Sequence, residues 1–337
     1  EVICDNQDEV FLGEITISGS GVSQADPILL NNCTLSDQLL ITGHFAKVDN
    51  NIFNYDDAVN YTIVSTDAAI DGTNIINNTF NSANAINLTN SGAGNLETDI
   101  EGNTFNQVEK AINTSNKNIV IHNNEFKVDT DDAGSFAINS GADGVAQNTV
   151  TITSNTIETA GDAAHDFEKA IIIGHTDQTS LATLTITGNT IKDSDTGIEI
   201  VTFPGSAHTV SSNKLDTTID GDRINNTTAS ILTAYQNWWG SNAEPDNLVN
   251  NIAKVNYGNW CTTDACNAFD SHIYVDLENN ASNDRFYGRL QVERAFDEIL
   301  ATATVTLDGD DYALDSISAD SDDLTITCTN TDSVNNP

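Results

Sequence analysis

The chain has 337 residues, 38% of them hydrophobic and 7% aromatic, with 12 Lys and Arg against 50 Asp and Glu. A formal net charge of −38 excludes nucleic acid as a partner, because phosphate binding needs a basic patch. No apolar run reaches the ~18–20 residues that span a membrane.

Residues 1–47 carry short strand-like runs, Val10-Phe-Leu, Glu14-Ile-Thr-Ile-Ser, Ile28-Leu-Leu and Leu39-Leu-Ile-Thr. They predict a cap and first irregular coils covering an otherwise open sheet edge. Cys4 and Cys33 bracket this segment, and a bond between them would pin it.

Residues 48–240 repeat one motif: an aliphatic residue, two variable residues, Asn, one residue, then a large apolar residue. The copies centre on Asn51, Asn78, Asn103, Asn124, Asn155, Asn189, Asn213 and Asn237. Their apolar partners are Phe53, Phe80, Phe105, Phe126, Ile157, Ile191, Leu215 and Trp239. A second signal follows each Asn, a small residue before Ile or Val, as in Ala58-Val59, Ala85-Ile86, Ala111-Ile112, Ala137-Ile138, Ala170-Ile171 and Gly197-Ile198. Repeats of this size with variable spacers predict a solenoid whose insertions are loops. Neighbouring coils of a parallel β-helix lie ~4.8 Å apart, so equivalent side chains stack. The Asn residues are expected at sharp left-handed corners, bonded to one another up the stack.

Acidic residues collect in the spacers. Asp129, Asp131, Asp132, Asp162, Asp193 and Asp195 fall on adjacent coils and are the candidate ligands for calcium, which takes several carboxylate and carbonyl oxygens. No full calcium-loop consensus accompanies them, and no other cofactor is indicated. The six histidines form no close pair at metal-ligand spacing, and His122 is expected to face outward.

Residues 241–272 read as a lid over the last coil. Trp238, Trp239 and Trp260 cluster there, with a carbohydrate platform as the rival role. Cys261 and Cys266 have the spacing of a local disulfide. Residues 273–337 lose the Asn motif and predict a small antiparallel β-sandwich-like module. That module contains the fifth cysteine, Cys328, the candidate for an intermolecular bond. Asn-x-Ser/Thr sequons at Asn32, Asn60, Asn77, Asn87, Asn113, Asn225, Asn226 and Asn280 are candidate glycosylation sites.

Residues 48–240, closing on Asn237-Trp-Trp-Gly240, resemble the right-handed parallel β-helix repeats of the pectate-lyase-like superfold. The resemblance is nearest to non-enzymatic repeat proteins of prokaryotic cell surfaces. It implies an all-β fold, a right-handed solenoid with an N-terminal cap and a small C-terminal module. It does not by itself imply a function, since this architecture hosts lyases, hydrolases, adhesins and inert scaffolds.

With no Met anywhere, Glu1 is expected to be a processed N-terminus of a secreted, cell-surface chain. The expected function is that of a self-assembling, non-catalytic extracellular protein, a subunit of a sheath, surface layer or fibre. Its partner would be further copies of itself. The alternative is a polysaccharide-active enzyme or glycan-binding adhesin on the same scaffold. Lyases of this fold use Arg or Lys on a uronate, yet no Arg precedes Arg223.

Overall fold

The computed structural model describes residues 1–276 except 9, 19–22, 56, 58, 66–71, 89–95, 129–132, 142–145, 161–165, 179, 203–206, 242–244, 246–248, 251–254, 259 and 270–272. Beyond these it describes the strands 285–287, 304–307 and 325–328. The candidate ligands Asp129, Asp131, Asp132 and Asp162, and the sequon at Asn280, lie outside the described residues.

The chain winds as a parallel β-helix. Three parallel sheets form its faces, two of nine strands and one of ten, and every third strand in sequence joins the same sheet, except that the last strand of the third sheet, Val249–Asn250, comes two strands after its neighbour. Register is kept from coil to coil, with Val48, Ile75, Ile100, Ile121, Ile152, Ile186 and Val210 paired in one unbroken row. The segment 1–47 is already part of this stack, since Val2–Ile3, Val10–Phe11 and Ile15–Ile17 pair with the next coil in all three sheets.

Strand alternation sends every second side chain inward. All eight apolar partners of the Asn motif are buried to 0% exposure. Phe53, Phe80, Phe105 and Phe126 stack face over face, with ring centroids 4.9, 4.8 and 4.7 Å apart. The rings cannot offset further, because the backbone ladder holds them at the coil spacing. The small-residue signal marks the third sheet, where Ile86, Ile112, Ile138, Ile171 and Ile198 pair in register. It misplaces one strand. Val59 is 81% exposed, and Ile63–Ser65 pairs with Ile86 instead. The cause is a local turn, in which the Asp57 carboxylate accepts the amides of Val59 and Asn60.

The Asn ladder forms as expected, but its members are not the left-handed residues. That conformation belongs to the residue before each: Asn50, Asn77, Gly102, Asn123, Ser154, Gly188, Ser212 and Gln236, with φ between 53° and 68°. The chain bends there, and the bend carries the following Asn side chain into the corner interior. Each buried Asn then satisfies every polar atom it brings in. The Asn78 Nδ2 donates to the carbonyls of Val48 and Ile76 and to Asn103 Oδ1, at 2.9, 2.9 and 3.1 Å. Its Oδ1 accepts the Asn51 backbone amide and the Asn51 Nδ2, at 2.9 and 3.1 Å. Asp lacks the donors and Leu lacks everything, which is why the position repeats as Asn.

The ladder begins one residue after Asn32. Asn32 takes the corner position (φ 62°), and Cys33 stands in the ladder, donating its amide to Asn51 Oδ1 at 2.9 Å. Cys33 is bonded to Cys4, 29 residues earlier, so a covalent link closes the stack where the ladder starts. Replacing both cysteines by serine is expected to lower stability by ~3–4 kcal/mol on the loop-entropy model, read as a shift in the urea midpoint.

At the other end Trp239, Tyr257 and Trp260 fill the last coils at 0% exposure, in edge-to-face contacts 6.4 and 6.3 Å between centroids. Trp239 and Trp260 therefore belong to the core and not to a carbohydrate platform. Cys261 and Cys266 form the second disulfide. The C-terminal module departs from an all-antiparallel sandwich. Its described strands make one four-stranded mixed sheet, in which Thr304–Leu307 and Thr325–Cys328 run parallel.

Candidate functional site

Two clusters of metal-ligand type occur among the described residues, and in each the ligand atoms lie within 4.8 Å of one another. The first comprises Asp99, Glu101 and His122 on the outer face of one sheet. Glu101 and His122 are directly paired across adjacent coils, and Asp99 sits two residues before Glu101 on the same strand, hence on the same face. His122 Nε2 lies 3.0 Å from Asp99 Oδ1 and 3.8 Å from Glu101 Oε2. The Asn123 amide lies 3.1 Å from His122 Nδ1. If that amide donates, the neutral ring carries its proton on Nε2 and gives it to Asp99.

Partial burial pushes the Asp99 carboxyl above its ordinary range, and the neighbouring His122 opposes the shift. A carboxyl raised on folding binds more protons in the native state. Its contribution is therefore largest below the ordinary Asp range and is lost as pH rises through the raised value. Asp99→Asn is expected to remove that decline. The difference in melting temperature between wild type and variant should change with pH just above the ordinary Asp range and be flat well below it.

The second cluster comprises Asp166, Asp195 and Asp220, contributed by three successive coils at the entrance to the third sheet. Three carboxylates on a rigid frame suit a hard cation such as calcium. The mixed carboxylate and imidazole set of the first cluster also suits a transition metal. Of the acids singled out in the sequence, Asp195 enters a cluster and Asp193 does not. Asp193 takes a left-handed corner (φ 50°), and its Oδ2 accepts the Thr159 amide at 3.0 Å.

The first cluster was missed in the sequence, though the repeat carries it. Glu101 and His122 both stand two places before a ladder Asn, so alignment of the copies sets them side by side. Asp166 and Asp220 lie beyond spacers of unequal length, and the motif alone does not align them.

The sequons differ in accessibility. Asn60 and Asn77 are exposed. Asn226 is fully buried, with its amide donating to the Ser230 carbonyl at 2.8 Å. Asn113 lies inside an outer ladder, 3.2 Å from Asn87 and 3.1 Å from Asn139. Asn32 bonds the Cys4 carbonyl, and Asn225 bonds Glu199.

The fold and the clusters define a parallel β-helix with an acidic exterior. Comparison with family models, curated proteins and solved structures returned no match.

Proposed function

We propose that the protein is a structural building block that assembles with copies of itself outside the cell, in a sheath, surface layer or fibre. This keeps the cell-surface character that the β-helix resemblance implies. The observation that carries it is the investment of polar groups. The Asn ladder spends its amides inside the helix, from Cys33 to Asn237, on rigidity and not on display. Arg223, the first arginine that lyase chemistry would draw on, is 5% exposed. Among the described residues, no helix is long and apolar enough to cross a membrane.

Two features supply means of assembly. The Asp166, Asp195 and Asp220 carboxylates face outward, and calcium held there would lower repulsion between chains of net charge −38. Thr325–Cys328 is the outermost described strand of its sheet, and an open edge accepts another strand.

Sedimentation velocity and negative-stain imaging test the proposal, with calcium, with chelator and with reductant. The expected result is a polymer in calcium that shortens when the ion is chelated, and further when disulfides are reduced. A monodisperse monomer under all three conditions would sink it. So would turnover of an acidic polysaccharide by the purified protein.

A further inference from the structure

The outer face of the sheet that carries His122 changes character on the very next coil, where Thr153 pairs with His122. Thr149-Val-Thr-Ile-Thr153 pairs in register with Thr183-Leu-Thr-Ile-Thr187, and the next strand continues with Thr209 and Ser211. The aliphatic residues between the threonines are buried, and the threonines point outward and stay partly exposed. Three strands with three outward places each form a grid, broken only by Ala207.

The grid has a fixed lattice. Coils repeat at ~4.8 Å, and alternate residues along a strand at ~6.6 Å. A β-branched side chain on a strand has little χ1 freedom, so methyls and hydroxyls are held in place before any partner arrives. None of these hydroxyls has a hydrogen-bond partner among the described residues. The corner residues beside the grid, Ser154, Gly188 and Ser212, are small and neutral. No grid position is charged, although the chain as a whole carries −38.

A partner for this face is flat, uncharged, hydroxyl-bearing and periodic. Water in ice meets all four requirements. Oxygens joined at ~2.75 Å with tetrahedral angles recur at ~4.5 Å, and in the perpendicular direction at ~7.3 Å, within about a tenth of the grid. A second copy of the chain fits less well, because the grid covers roughly 300 Å² where a stable dimer needs about 800 Å² per partner. Crystalline glycan is also neutral, but the grid offers no aromatic ring to stack against a sugar.

We infer that the threonine grid binds the surface of ice. The test is partition of fluorescently labelled protein into a slowly growing ice hemisphere, with crystalline cellulose as a parallel solid. Wild type and Thr104→Lys, a change on the outer face of a different sheet, are expected to enter the ice. Thr151→Lys/Thr185→Lys, and separately Thr209→Lys at the exposed rim, should reduce the ice-bound fraction roughly tenfold. All should keep the melting temperature of Thr104→Lys, which separates a lost surface from a lost fold. Wild type excluded from ice overturns the inference, as do grid variants that enter as readily as Thr104→Lys. Capture by cellulose without entry into ice overturns it in favour of a glycan surface.

Discussion

Replacing Asn124 by leucine should lower stability by about 4–6 kcal/mol, a loss outside the usual range for one side chain. The number follows from what the change strands. Asn124 Oδ1 accepts both the backbone amide and the Nδ2 of Asn103, at 2.9 and 3.0 Å. Its own Nδ2 donates to the carbonyls of Ile100 and His122 and to Asn155 Oδ1, at 2.9, 3.0 and 3.0 Å. Leucine leaves two buried donors of the coil below without acceptors, at ~1–3 kcal/mol each, and deletes the bonds above. Urea unfolding gives the total, and hydrogen exchange gives the place, since protection should fall first at the Asn103 amide. The control is Asn106→Leu. The Asn106 amide joins an exposed outer ladder at 2.9 Å to Asn81, where water can replace the partner. A loss at Asn106 equal to that at Asn124 would show that burial is not the source.

The second large effect is expected at Phe105. The ring is fully buried between Phe80 and Phe126, so Phe105→Ala opens a cavity flanked by two aromatic faces. The coils above and below cannot close on it, because backbone ladder bonds hold their separation. The loss should fall at about 3–5 kcal/mol, toward the upper part of that range. Phe105→Leu refills most of the space, and Ile157 and Leu215 show that aliphatic residues serve in the same row. Recovery of more than half the loss by leucine would confirm the cavity as its cause. No recovery would assign the loss to ring stacking itself.

Much of the helix was legible because its signals are local and repeat. One Asn with a Phe two places on carries both the rung and the core residue of a coil. The corner was read one residue late for a physical reason. In Asn50-Asn51, Asn77-Asn78 and Asn123-Asn124 both residues tolerate the left-handed region. The copies Gly102-Asn103 and Gly188-Asn189 resolve the choice, since glycine is the freer of each pair and stands first. Cys33 escaped notice as a rung because the position needs only a backbone amide at the start of a ladder, and any residue but proline supplies one. The acidic clusters were half legible. Residues two places before a ladder Asn have a fixed address on the sheet, as Glu101 and His122 do. Residues in spacers have none until the loops are folded.

The ladder also gives the molecule an electrical sense of direction. Every amide in it is oriented alike, with Oδ1 toward the coil before and Nδ2 toward the coil after. Dipoles aligned head to tail add rather than cancel, as peptide dipoles do along an α-helix. The row therefore ends negative at Asn51, where the Cys33 amide covers the last oxygen, and positive at Asn237. A β-sheet has little net dipole of its own, so this buried file of side chains sets the axial polarity of the rod. Rods joined end to end in one sense would lengthen the file, and rods joined in opposite senses would bring like poles together. The asymmetry that orders a single chain would thus favour one direction of growth over the other.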